Sequence, residues 1–439
     1  MLKVGFSKLD VTPPLGVDLG GYYQTRFAKG ILDPIYLHAL AINNGENTVL
    51  LITLDCCGIK FNKAKHIRKE VSKCTGIPID NIMISALHQH TSIYIADPND
   101  RQDIVKDEAY LDVLFRKFSD AATLAIEDMK TATMEYGEKE ADPKISFSRR
   151  YFTAESGVIT NPYDSYKLTV LGHCDEVDNK MRVIKFKREG SRDIAILNFP
   201  IHPDSIGTDY FSADWHYFLR RYFSEQIGNV DVLTLTGFEG DCSAMNYCVP
   251  KNERCLGLNG YPVAEWLGRE MTKAALAAWN ELKEISSEGL FSSFCMVESP
   301  TNLEGTEHYE ESEKWLQLYD EDKIPAKERS LNNLGYHARI VNLKYRPPFQ
   351  YIPITIFSIG DLMLLAFGGE PFSRYAELIR DKYPNKYILT CTLTNGCEGY
   401  IPSKMAFEQG GYEAVSSPFV PKIEADILSA VDEMIKGAN

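Results

Sequence analysis

The sequence predicts an α/β fold of layered mixed sheets with flanking helices, and two observations predict it. Apolar runs of strand length alternate with longer stretches whose apolar residues recur every three to four positions. At 44% hydrophobic and 25% charged over 439 residues, the chain also has ample material for a packed core.

The elements follow in order. "TVLLITLD" (48–55) reads as a buried strand, and "FNKAKHIRKEVSKC" (61–74) as the helix after it. "NIMISAL" (81–87) is the next strand, followed by the amphipathic "DEAYLDVLFRKFSDAATLAIEDM" (107–129). The pattern recurs as "DIAILNF" (193–199) before "ADWHYFLRRYFSEQI" (213–227), and as "DVLTLTG" (231–237) before "PVAEWLGREMTKAALAAWNEL" (262–282). "LMLLAFGGE" (362–370) leads into "PFSRYAELIRDKY" (371–383), with Pro371 expected to start that helix. The polar stretch 299–335 holds an acidic helix and is expected to be a helical insertion, and "PKIEADILSAVDEMIKG" closes the chain as a helix. No internal repeat and no interdomain linker stand out, so residues 1–439 are expected to form a single domain.

A net charge of −14, with Lys and Arg only in short pairs such as "FLRRY", argues against nucleic acid and anionic membrane as partners. No apolar run approaches the length of a membrane span. "MLKVGFSKLDVTPP" places Lys8 and Asp10 where a signal peptide needs an apolar core, so the expected compartment is the cytoplasm. The ten cysteines include no CxxC pair and read as free thiols, with Cys56 and Cys57 ending a buried strand.

Several chemistries are not signalled. The sequence lacks GxxxxGK[ST], GxGxxG after a strand, HExxH and GxSxG. What stands out is "SALHQHTSIY" (85–94), which sets His88 and His90 one residue apart at a strand end. Residues i and i+2 of an extended chain face the same way, so the pair fits either a metal site or two structural histidines. "AILNFPIHPDS" delivers His202 just past a second strand, and "LMLLAFGGEPF" delivers Glu370 past a third. Two imidazoles and a carboxylate at strand C-terminal ends form a ligand set suited to catalytic zinc. Taken singly, Glu370 fits equally a carboxylate favoured by a helix N-terminus. The other histidines (His38, His66, His173, His216, His308) read as structural, with His337 kept as a candidate substrate contact.

Taken in order, the motifs resemble the neutral/alkaline, non-lysosomal ceramidase family, zinc amidases that cleave the N-acyl bond of ceramide. The likeness begins at "GFSKLDVTPPLGVDLGGY" and runs through "DPIYLHALAI", "LITLDCCG" and "SALHQHTS", the last similar to the family's T-H-T-H-S. "FSRRYFTAESGVITNP", "LNFPIHPDS", "GFEGDCSAMN", "GGEPFSRYA" and "TNGCEGYIPSKMAFEQGGYEA" continue it over nearly the whole chain. The resemblance implies Zn²⁺ as cofactor, with His88, His202, Glu370 and Tyr400 as ligands. It implies that His90 lies beside the metal against substrate, and that Arg149 and Tyr412 bind or polarise the amide carbonyl. Ser243 matches the serine near the reacting centre and Asp241 its neighbour. "SRR" leaves Arg149 and Arg150 both open as the arginine meant.

In such a site His90 is a candidate general base and later acid, while Arg149 and the Tyr412 hydroxyl would stabilise an oxyanion. The resemblance covers the family's catalytic part, without its C-terminal immunoglobulin-like domain. Where the family reads S-G-P-G-[GA]-Y after its histidine pair, this chain reads "TSIYIADPND". The implied function is a zinc-dependent amidohydrolase, with a lipid or small-molecule substrate and no stable membrane anchor. Two alternatives stand beside it: the same zinc site acting on a soluble N-acyl compound or carbohydrate derivative, and a non-catalytic metal- or ligand-binding protein.

Overall fold

The computed structural model describes residues 1–96, 107–343 and 346–437, the Lys327 side chain excepted. Eight strands build its main sheet: β1 (Lys3–Asp10), β2 (Tyr36–Asn43), β3 (Thr48–Leu54), β4 (Ile82–Ala86), β5 (Lys130–Glu140), β6 (Lys180–Arg188), β7 (Asp193–Phe199) and β8 (Val230–Thr236). Their spatial order is β8-β7-β6-β5-β1-β2-β3-β4, with the short strand Lys283–Glu284 paired to β5. A second sheet takes β9 (Leu290–Pro300), β10 (Phe349–Ile359), β11 (Leu362–Phe367) and β12 (Tyr387–Cys391) in sequence order. The larger helices are α1 (Phe61–Thr75), α2 (Glu108–Glu127), α3 (Asp214–Ile227), α4 (Tyr261–Trp279), α5 (Tyr309–Asp320), α6 (Leu331–Asn342) and α7 (Ser373–Lys382). Two short helices, α8 (Lys404–Gln409) and α9 (Tyr412–Ser416), precede α10 (Ile423–Lys436).

One topology occurs three times. β1, β2 and β3 form an antiparallel meander, α1 crosses over, and β4 joins parallel to β3. β5, β6 and β7 repeat the meander, with α3 crossing to β8 parallel to β7. β9, β10 and β11 repeat it again, with α7 crossing to β12 parallel to β11. A further helix (α2, α4 or α10) follows the fourth strand of each unit. No sequence repeat announces this, because each unit conserves only the order of strand and helix signals.

The predicted strand–helix pairs are all present, and the mixed α/β class holds. What the alternation did not reveal is the antiparallel half of each unit. Strand β3 shows why the runs are so apolar: Leu50, Ile52 and Leu54 face the core under α1 and α2, while Val49 and Leu51 face the core shared by the three units. That shared core draws Leu40, Leu233 and Phe357 from one unit each. Two boundaries differ from expectation. The stretch 299–335 starts inside β9, and its second helix, α6, runs on to Asn342. Pro371 does not start a helix; Glu370–Pro371 pairs in parallel with Tyr400–Ile401, and α7 begins at Ser373. The reason is Asp241, which accepts hydrogen bonds from Ser373 N–H at 2.7 Å and from its hydroxyl at 2.9 Å, so the helix starts at the serine. Among the described residues, no helix is long and apolar enough to cross a membrane.

Candidate metal centre

The three units bring their strand ends to one place. Cys57, His202 and Glu370 each stand three residues past a third strand (Leu54, Phe199 and Phe367), while His88 and Glu239 follow the fourth strands β4 and β8. His88, His202, Glu239 and Glu370, all buried, offer ligand atoms that lie within 4.8 Å of one another. Nε2 of His88 and Nε2 of His202 each lie 3.3 Å from the same Glu370 oxygen, Oε2. That oxygen is buried and has no hydrogen-bond donor.

The tautomers explain why. His88 Nδ1 lies 2.7 Å from the Cys57 carbonyl and His202 Nδ1 lies 2.9 Å from the Glu239 carbonyl. A carbonyl only accepts, so both Nδ1 atoms carry the proton and both Nε2 lone pairs turn toward Glu370, an arrangement typical of metal-binding histidines. Three electron-rich atoms converge on a buried point, and a cation fits there. Burial opposes charge on the His88 ring, but the Glu370 carboxylate outweighs burial and raises the His88 pKa; against burial, the two histidines hold Glu370 well below the usual range. Burial, with Arg149 second, lowers His202 to about 4. His88 also adopts a left-handed backbone, φ 73°, a strained conformation of the kind that collects at functional sites.

Tyr400 stands opposite Glu370 in the two-residue parallel ladder, so both side chains leave the same side. Its ring lies 5.1 Å from the Arg149 guanidinium carbon and 5.4 Å from the Tyr412 ring. Burial, opposed by Arg149, raises its phenol pKa. Arg149 is buried, pairs with the buried Glu413 carboxylate at 2.5 Å, and reaches His202 Nε2 with Nη1 at 3.2 Å. Arg150 turns the other way, to Asp175 at 2.7 Å and to Gln409 at 3.0 Å. Geometry therefore separates the two arginines that the sequence left open.

His90 Nε2 lies 3.3 Å from His88 Nε2, and its Nδ1 is 3.4 Å from Asp204 Oδ1. Burial, then His88, lowers the His90 pKa, which favours the neutral ring. Gly21 makes room for this ring, because a Cβ there would stand 2.4 Å from His90 Cγ. Ser243 pairs with Phe147, two residues before Arg149, and its hydroxyl accepts from Met245 N–H at 3.2 Å. Its neighbour Asp241 serves Ser373, with its carboxyl pushed by burial to about 6. His337 stacks on Trp315 between α5 and α6 and hydrogen-bonds Ser312 at 3.0 Å. The "DPND" end of "TSIYIADPND" lies outside the described residues.

Two carboxylates were not singled out from the sequence. Glu239 joins the cluster with one oxygen unpartnered, and burial lifts its pKa to about 8. Asp204 takes the Tyr22 hydroxyl and sits behind His90, with burial lifting its pKa to about 6. The available signal was position: Glu239 occupies in β8 the strand-end place that His88 takes after β4, and Asp204 follows His202 by two.

A cavity of about 420 Å³ opens over the cluster. His88, His90, Glu370, Tyr400 and Tyr412 line its floor, and α5 and α6 contribute Leu316, Leu334 and Ala338 to one wall. Asp18, Lys60, Asp320, Arg346 and Glu398 bring charge to the remaining walls.

No known family's sequence pattern matches the chain, and no curated protein matches it. Two solved structures do match in fold. Neutral ceramidase from Pseudomonas aeruginosa superposes with a TM-score of 0.74 at 16% identity, covering 99% of this chain and 74% of that one. A ceramidase complexed with C2 superposes at 0.72 and 15% identity, with the same coverage. The fold is neutral-ceramidase-like.

Proposed function

We propose that the chain is a zinc-dependent hydrolase that cleaves an N-acyl amide bond, with His88, His202, Glu370 and Tyr400 as the metal-holding residues. The unpartnered Glu370 oxygen facing two imidazole nitrogens carries the proposal. Zinc bound by such a set lowers the pKa of a coordinated water toward ~7 and polarises a carbonyl oxygen. Arg149 keeps Nη2 without a hydrogen-bond partner, a donor aimed by its Glu413 pair and available to the amide oxygen. The Tyr412 hydroxyl, 3.4 Å from that of Tyr23, is the second donor. His90 accepts the proton of the attacking water and returns it to the leaving amine, with Asp204 behind Nδ1 to orient the ring. Ser243 retains a secondary role near the Arg149 strand, whose N–H is held by the Asp241 carbonyl at 2.9 Å. The ten cysteines are free thiols, which supports a reducing, cytoplasmic setting as part of the same reading.

Fold likeness makes ceramide, and with it sphingolipid metabolism, the first substrate to test. A second reading has its own observation: two acids, two bases and Glu398 among the cavity walls suit a small soluble N-acyl compound better than two hydrocarbon chains. The deciding experiment is metal analysis of the purified protein beside His88→Ala, followed by amine release from a short-chain ceramide, soluble N-acyl amino acids and N-acyl amino sugars. Wild type without stoichiometric zinc removes the metal reading. Zinc without turnover on any amide leaves a binding protein.

A further inference from the structure

A second polar cavity, of about 320 Å³, lies away from the metal centre in the seam between the first two units. Lys8 and Tyr36 line it from β1 and β2, and Tyr217, Arg220 and Arg221 from α3, with Arg192 at the β8 side. Four cations line this space against one carboxylate, Asp231, in a chain whose net charge is −14.

Three of the four cations have carboxylate partners. Arg220 holds the buried Asp55 at 2.7 Å, Arg192 holds Asp231 at 2.8 Å, and Arg221 holds Glu225 at 2.8 Å. Lys8 has no carboxylate partner among the described residues, and its ammonium stands 3.6 Å over the Tyr36 ring. Desolvation, then the nearby Arg220, lowers its pKa, while Asp55, Asp10 and Asp231 act to raise it.

The wall behind Lys8 is unusual. His38 is the cross-strand partner of Lys8 on one side and of Thr53 on the other, so the three share one face of the sheet. His38 is fully buried, and neither ring nitrogen has a hydrogen-bond partner; the buried Thr53 hydroxyl has none either. Its ring lies 5.8 Å from that of Tyr36, which lines the cavity. Orphaned buried groups of this kind are uncommon in folded proteins; His38 and Thr53 stand behind the cavity wall and are not part of its lining. Seven of the eleven side chains that line the seam can donate a hydrogen bond.

We propose that this seam binds a tetrahedral oxyanion: inorganic phosphate or the phosphate group of a small metabolite. Lys8 supplies a cation not held in an ion pair, and the arginine N–H groups and tyrosine hydroxyls supply directional bonds. The site connects to the metal centre through one chain of contacts. Arg220 grips Asp55, whose Oδ1 lies 3.4 Å from Nε2 of Gln89, the residue between His88 and His90.

The test is thermal unfolding and calorimetric titration of the full chain with inorganic phosphate and with glycerol phosphate, against chloride at equal ionic strength. Phosphate is expected to raise the melting temperature beyond chloride, and Lys8→Met and Arg221→Gln each to weaken binding about tenfold. His88→Ala is expected to keep the response, which separates the seam from the metal centre. Response to phosphate alone indicates the free ion, and response to both ligands a phosphomonoester. No response beyond chloride overturns the proposal, as does full binding by the Lys8→Met/Arg221→Gln double variant or loss of binding in His88→Ala alone.

Discussion

Arg149 donates from Nη1 to Nε2 of His202 at 3.2 Å, and that same nitrogen lies 3.3 Å from Glu370. A fixed cation thus shares the pocket with the candidate ligands. Arg149→Met is expected to lower turnover of the best amide about 10²–10³-fold, as for other lost oxyanion donors, with zinc content unchanged. Arg150→Met is expected to lower the melting temperature and leave turnover per folded molecule intact, because Arg150 braces Asp175, Gln409 and the Gly410 carbonyl. Steady-state kinetics beside metal analysis checks both; equal kinetic losses in the two variants would contradict the separation.

Zinc affinity is expected to rise with pH. Burial opposes charge on His88 but Glu370 raises its pKa, which favours the protonated ring, and a proton on Nε2 must leave when that nitrogen takes a metal. His202, lowered to about 4, is already neutral and releases none. Chelator competition between roughly pH 5 and 7 should show affinity climbing about tenfold per unit. A slope of two would add the Tyr400 phenol as a second proton source, and a flat profile would count against His88 as a ligand.

Gly21→Ala is expected to cut activity by displacing His90 while zinc stays bound. A Cβ at Gly21 meets the imidazole at 2.4 Å, and the residue's φ of +97° is itself costly for alanine. Unchanged kinetics in this variant would remove His90 from the proton-handling role.

Asp178 joins the second and third units, taking Arg182 of β6 at 2.7 Å and Arg380 of α7 at 2.5 Å. Burial alone would raise its pKa, but the two arginines overcome burial and hold it at about 2. A carboxyl depressed in the folded state contributes stability above its unfolded pKa and loses it as pH falls through the folded one. Its contribution should therefore be complete above about pH 4 and vanish near pH 2. Asp178→Asn is expected to cost about 3–5 kcal/mol at neutral pH, measured by denaturant unfolding. A loss below about 1 kcal/mol would place the pair among weak surface bridges.

Much of the fold was legible where local signals agree with burial. "TVLLITL" and "LMLLAF" are buried on both faces, and such strands stand out as unbroken apolar runs. The antiparallel strands were harder to see. β6, "KMRVIKFKR", mixes cations into its pattern because the buried Arg182 and Arg188 are paired with carboxylates, Asp178 four residues away and Asp128 far along the chain. His88, His202 and Glu370 were legible because each follows such a run directly. Glu239 and Asp204 had only position to mark them, past a fourth strand and two residues after His202, while their burial beside charged neighbours is encoded by no local pattern.

The threefold topology has a consequence for how such a centre can exist at all. His88 belongs to the first unit, His202 to the second and Glu370 to the third, so no single unit contains the proposed ligand set. Under the proposed zinc reading, metal retention becomes a reporter of assembly: bound zinc would require that three separate pieces of polypeptide have found one another, much as a keystone certifies its arch.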